Sequence, residues 1–111
     1  MQFIVKRDIL LTSLRFVQGI FEKKNTLPIL SNVFLQLKDT KLSIVPTDLD
    51  IVFYDEITEV KILTEGSTPT SATILNDILR NISSDQELNF DLKTENKLSL
   101  KSDNSDFNLL C

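Results

Sequence analysis

Ile9-Leu10-Leu11-Thr12-Ser13-Leu14-Arg15 returns later in the chain as Ile74-Leu75-Asn76-Asp77-Ile78-Leu79-Arg80. The opening apolar pair, the second leucine and the closing arginine recur at the same spacing. A second phrase repeats in the same order. Leu37-Lys38-Asp39-Thr40-Lys41-Leu42-Ser43-Ile44 is matched by Leu92-Lys93-Thr94-Glu95-Asn96-Lys97-Leu98-Ser99-Leu100, with one extra residue in the turn. A third, Asp50-Ile51-x-Phe53, is matched by Asp106-Phe107-x-Leu109. Each match alone is weak, because hairpins often read L-K-x-x-K-L. Three matches in one order, each joining like elements, argue for an internal duplication.

The elements around these phrases follow from their periodicity. Residues 1–6, MQFIVK, are short and rich in apolar β-formers and read as a strand. Residues 7–21 read as a helix, because Leu10, Leu14, Val17 and Phe21 form one stripe at helical period. Asp8 falls in its first turn, where a carboxylate suits the positive end of the helix dipole. Phe21 to Thr26 reads as a charged connector, and Pro28 resets the chain to extended geometry. From Ile29 the period becomes two. Strands are expected through Val33–Lys38, at Lys41–Val45 and at Ile51–Glu59, with turns at Asp39-Thr40 and Pro46-Thr47-Asp48. Val60 to Ser67 is less regular, with Gly66 as the break. Ser71 is the expected N-cap of a second helix, Ala72–Ile82, with the apolar stripe Ile74, Leu75, Ile78, Leu79 and Ile82. Three strands follow near Glu87–Leu92, Lys97–Lys101 and Asp106–Leu110.

The expected fold is therefore α+β: a duplicated β-α-β-β-β unit with its halves at about 1–60 and 67–111, related by a local two-fold. That relation lays the two helices side by side on one face of two curved antiparallel sheets. It also puts Arg15 and Arg80 at equivalent outward positions.

Composition narrows the chemistry. A chain of 111 residues, 41% hydrophobic and 25% charged, suits one globular domain. There is no histidine, and the one cysteine is Cys111. Ser-His-Asp and Cys-His nucleophiles, a disulfide framework and Cys- or His-ligated metal sites are thereby excluded. Two glycines, Gly19 and Gly66, cannot write a phosphate-cradling loop. No apolar run approaches a membrane span, and the opening MQFIVKRDIL does not read as a secretory signal. A lone thiol and no leader favour a cytoplasmic setting. No cofactor is expected.

Charge is uneven. Residues 1–24 hold Lys6, Arg7, Arg15, Lys23 and Lys24 against Asp8 and Glu22, while the whole chain carries −4. A basic opening on an acidic chain suits a protein that meets a polyanion on one face and water on the others. Chance clustering of solvated charges is the alternative. Asp48, Asp50 and Asp55 invite a metal or acid–base reading, but no further ligand is evident, and turn and strand-edge solvation explains them better.

One resemblance covers essentially the whole chain. Thr26-Leu27-Pro28-Ile29-Leu30-Ser31-Asn32-Val33, followed by Leu42-Ser43-Ile44-x-x-Thr47-Asp48-Leu49-Asp50, resembles the N-terminal domain of the bacterial DNA polymerase III β subunit, the sliding clamp. The opening M-x-F-x-V-x-R fits as well. The resemblance implies a DNA-clamp fold and the first of three such domains, and an ending at Leu109-Leu110-Cys111 inside a strand suggests a boundary within a longer chain. It implies a non-catalytic processivity factor for DNA replication. Two full-length subunits would close a ring around duplex DNA, without sequence preference, and engage the polymerase and its clamp loader. Lys24 matches a position that is basic in the family and touches DNA, with Lys23 beside it. Arg15 and Arg80 are the expected channel cations, and Arg7 is a further candidate nearer the stripe edge. Phe107 matches an aromatic at the family's subunit interface, with Ile74 and Ile78 as helical companions. For each of these the plain reading remains open: a solvated loop for the lysines, surface ion pairs with Asp8 or Asp77 for the arginines, and core packing for the apolar three.

Two other classes stand beside this reading. An enzyme with paired carboxylates would need two acids converging in a pocket, and no motif supplies them. A small α+β protein-interaction module without DNA binding would share the fold but leave the basic segment unexplained.

Overall fold

The computed structural model describes residues 1–24, 32–46, 55–94, 97–103 and 105–110. Strand β1 (Gln2–Lys6) runs directly into helix α1 (Arg7–Lys24). Strands β2 (Asn32–Lys38), β3 (Lys41–Pro46) and β4 (Asp55–Ile57) follow, then β5 (Val60–Thr64) and β6 (Gly66–Ser71). Helix α2 (Ala72–Arg80) leads to β7 (Glu87–Thr94), β8 (Lys97–Lys101) and β9 (Asp106–Leu110).

Two antiparallel sheets form, in the orders β5-β1-β7-β8-β9 and β4-β3-β2-β6. The opening strands of the two halves are exchanged. β1, which begins the first half, lies in the sheet of the second, with Phe3 opposite Phe90 and Val5 opposite Leu88. β6, which begins the second half, lies beside β2, with Thr68 opposite Leu35 and Thr70 opposite Val33. The helices pack against one another, as the duplication predicts. Buried Leu10, Leu14 and Val17 from α1 and Leu75 and Leu79 from α2 join the inward faces of both sheets in one core. Phe3 and Phe90 stack inside it, with ring centroids 4.7 Å apart and planes 5° from parallel.

Local chemistry explains the boundaries. The Ser71 hydroxyl accepts the Ile74 backbone N–H at 3.3 Å, so the expected N-cap is present. α2 ends at Arg80 rather than Ile82. The Asn81 N–H turns back to the Ile78 and Leu79 carbonyls, and its side-chain amide donates to the Asp77 carbonyl at 2.8 Å. Ile82 still reaches the core from that tight turn. α1 continues to Lys24, so residues 21–24, expected as a connector, are helical. The charged Glu22-Lys23-Lys24 is no obstacle, because these are adequate helix formers.

Two further sequence expectations shift. The irregular stretch before α2 contains two strands, β5 and β6, with the break at Glu65 and the expected breaker Gly66 opening β6. The sequence of β6, Gly-Ser-Thr-Pro-Thr-Ser, is poor in apolar β-formers. It is an edge strand, where Pro69 is tolerated, and it buries Thr68 and Thr70. A Cβ on Gly66 would meet the Met1 Cβ at 2.9 Å, so this position needs its glycine for close approach. The third repeat also has a different register. Ile57 lies opposite Leu42 as Leu109 lies opposite Leu98, so Asp55-x-Ile57 is the counterpart of Phe107-x-Leu109. Residues 50–53, assigned to that role in sequence, lie outside the described residues.

The β2–β3 hairpin closes on two residues, Asp39 and Thr40, at φ 55° and 64°. Both positive values are what a primed hairpin turn requires, and a β-branched residue is poorly suited to them. Thr40→Gly is therefore expected to stabilise the chain by about 1 kcal/mol, read as a rise in urea midpoint at constant m. An unchanged or lower midpoint would show that the Thr40 hydroxyl, which donates to the Asp39 carbonyl at 2.6 Å, already offsets the strain.

Candidate nucleic-acid interface

The outward faces of the two helices carry the candidate cations. On α1, Leu10, Leu14 and Val17 turn inward, which sends Asp8, Thr12 and Arg15 outward. Arg15 is exposed and has no ion-pair partner among the described residues. Arg80 is exposed in the last turn of α2 and pairs with Asp77 at 3.7 Å. Both side chains of that pair are about 60% accessible, so it holds Arg80 only weakly and leaves the guanidinium free to exchange partners.

Arg7 is placed differently. Its Nε donates to the Leu79 carbonyl at 2.8 Å, and its guanidinium pairs with Asp8 at 2.8 Å, with only 17% of the side chain accessible. It ties the start of α1 to the end of α2, where an orphan carbonyl and the negative end of the dipole favour a cation. Asp8 is thereby occupied by Arg7 and not by Arg15. Lys23 and Lys24 belong to the last turn of α1, and their side chains lie outside the described residues.

The apolar trio separates as well. Ile74 is 54% exposed, whereas Ile78 and Phe107 are partly buried against the core. Phe107 lies on β9, which among the described residues is a sheet edge that pairs with β8 on one side only. Phe16 was not anticipated by periodicity. It sits beside Arg15 and is 54% exposed; the readable clue is that it is an aromatic off the Leu10-Leu14-Val17 stripe. Of the three aspartates, Asp48 and Asp50 lie outside the described residues, and Asp55 is on β4. Among the described residues no cluster of acidic or thiol ligands could hold a metal ion, and no helix is long and apolar enough to cross a membrane.

Two exchanged β-α-β-β-β halves, with paired helices over antiparallel sheets, define a domain of the DNA-clamp class. The structure of the DNA polymerase III subunit beta from Pseudomonas aeruginosa superposes with a TM-score of 0.83 at 30% identity, covering 99% of this chain and 29% of that one. Caulobacter crescentus pol III beta gives a TM-score of 0.82 at 32% identity, with the same coverage. The beta sliding clamp of Pseudomonas putida is 34% identical over 110 residues. That of Rickettsia felis is 33% identical over 109 residues. Residues 1–111 match the family model for the DNA polymerase III beta subunit, N-terminal domain, and the chain belongs to that family. It spans 29% of the length of the Pseudomonas putida relative and 28% of the Rickettsia felis one.

Proposed function

We propose that this chain serves as the first domain of a sliding clamp, a non-catalytic processivity factor that holds the replicative polymerase on duplex DNA. The observation that carries the reading is the end-to-end match to beta sliding clamps, at 30% identity or more and TM-scores above 0.8. The exposed cations on two adjacent helices support it. Sliding requires attraction to phosphates without base readout, because base contacts would pin the protein to one sequence. Long Arg and Lys side chains on helix faces supply such attraction, and the acidic remainder keeps other surfaces off the DNA. In this reading Arg15, Arg80, Lys23 and Lys24 face the duplex. Arg7 contributes charge while clasping α2, and Phe107, Ile74 and Ile78 meet a neighbouring subunit. The partners are duplex DNA, the polymerase and its clamp loader, with two full-length subunits closing the ring in the cytoplasm.

The test is a titration of duplex DNA against this chain at several salt concentrations. Non-specific affinity is expected near the weak end of the usual range, at about 10⁻⁴ M, because the chain is acidic overall. Three phosphate contacts, from Lys24, Arg15 and Arg80, give a log–log slope of about −2.7, or roughly a 40-fold loss between 50 and 200 mM salt. Lys24→Ala should reduce the slope by about 1 for every sequence tested alike. Salt-independent binding, or a slope unchanged by Lys24→Ala, would overturn the assignment of these cations.

A further inference from the structure

Arg15 and Arg80 hold the same place in the duplication, but their charged surroundings differ. By helix register Ile9, Leu10 and Leu14 answer to Ile74, Leu75 and Leu79, so Thr12 answers to Asp77. Thr12 and Asp77 are both exposed, and each stands three residues before its arginine, where side chains on a helix surface meet. The positions within reach of Arg15 along α1 are Leu11, Thr12, Gln18 and Gly19, none of them charged. Arg15 has no ion-pair partner among the described residues, whereas Arg80 has the Asp77 carboxylate at 3.7 Å. One fold thus presents the same cation twice, open on α1 and already paired on α2.

Helix stability does not account for Asp77. It lies in the last turn of α2, where the negative end of the helix dipole disfavours an acid. Its pair with Arg80 is exposed on both sides, and such pairs contribute little to folding. The pair does matter to an arriving phosphate. The phosphate has to displace the carboxylate from the guanidinium, and the displaced carboxylate then stands beside a like charge. Because both partners are exposed, the exchange is easy, so the contact is weakened rather than blocked.

We infer that Asp77 is an intrachain competitor for the phosphate bound at Arg80, and that it sets how firmly α2 grips the DNA backbone. The inference rests on the proposed DNA-facing role of the two arginines and goes beyond it, because it makes them unequal contacts. A contact that its own neighbour helps to release favours sliding over arrest.

The test is a titration of this chain at low salt with a short fluorescent duplex, read by anisotropy. Asp77→Asn should tighten binding about fivefold. The same change in an Arg80→Ala background should alter binding by less than about twofold, because the competitor then has nothing to compete for. Thr12→Asp places the same competitor beside Arg15 and should weaken binding about fivefold. Asp103→Asn removes an exposed acid between β8 and β9 and should leave affinity within about twofold. Circular dichroism of each variant checks that both helices are retained. An equal gain from Asp77→Asn with and without Arg80 would overturn the inference, because the carboxylate would then act only by repelling DNA through space. A gain matched by Asp103→Asn would overturn it in favour of net charge alone. So would a Thr12→Asp chain that binds as tightly as the parent. Failure of the underlying DNA reading looks different: Arg15→Ala then leaves affinity unchanged, and both readings fall together. If Arg15→Ala weakens binding while Asp77→Asn does nothing, this inference alone is wrong.

Discussion

Fragments 1–64 and 66–111, prepared separately, are expected to remain unfolded. In the whole chain β1 is bonded to β7 across the boundary between halves, and β6 is bonded to β2. Fragment 1–64 retains β1 paired only with β5, a two-stranded ribbon that is marginal in water, and its β2–β3–β4 sheet loses β6. Fragment 66–111 retains β7–β8–β9 under α2 but exposes the β7 edge, strips Phe3 from Phe90 and removes α1 from α2. Pieces of that size bury at most about 60% of their unfolded surface, too little to offset the exposed core. We propose on this basis that the repeat boundary is not a folding boundary and that residues 1–111 form one unit. Circular dichroism and amide NMR dispersion of each fragment, and of their equimolar mixture, are the measurements. Folded spectra from either fragment alone would refute the proposal. Recovery of native dispersion only on mixing would support it directly.

Phe90→Ala carries the second largest expected effect. Phe90 and Phe3 are both 0% exposed and lie directly opposite one another in the ladder that joins the halves. Truncating the ring leaves a cavity and an unpartnered Phe3 face, a loss of about 3–5 kcal/mol. Against a typical total of about 5–15 kcal/mol, that is a large fraction of the stability. The expected fall in Tm is about 15–30 °C. Phe90→Leu, closer in volume, should cost much less. Leu63→Ser, at an edge-strand position that is 49% exposed, should change stability by less than about 0.5 kcal/mol. Thermal and urea unfolding of the three variants settle the comparison. A Phe90→Ala loss under about 1 kcal/mol would mean that the two halves are not held together through this stack.

Periodicity along the chain was enough to identify the local elements. The helical stripe of α1, the Ser71 cap and stripe of α2, and the alternation of β2, β3, β7 and β8 are all set by neighbours within a few residues. Such neighbours decide whether an apolar face at period 3.6 or 2 can be built. The family was legible for a related reason: the motif residues and the duplicated phrases are properties of order along the chain. α1 ran past its expected end because a polar Glu-Lys-Lys turn is as compatible with a helix terminus as with a loop. β6 was hidden because an edge strand of Gly, Ser, Thr and Pro has no apolar alternation to read.

Only the tertiary structure decided which strands pair. The exchange of β1 and β6 joins residues far apart in sequence, and nothing in a strand's own pattern names its partner. It also set the true repeat register, in which Asp55 and not Ile51 stands where Phe107 stands. Arg7 shows the same limit at a single side chain. Composition marked it as one basic residue among five near the start, but its hydrogen bond to the Leu79 carbonyl exists only because packing brings the two helix ends together. Asp8 on α1 likewise comes to share a groove with Asp55 and Glu56 on β4 only after the sheets have formed. Sequence order determined the elements and the family of this protein. The long-range contacts that distribute its charges over different faces arose from packing, because electrostatic and hydrogen-bond partners are set by distance in space rather than along the chain.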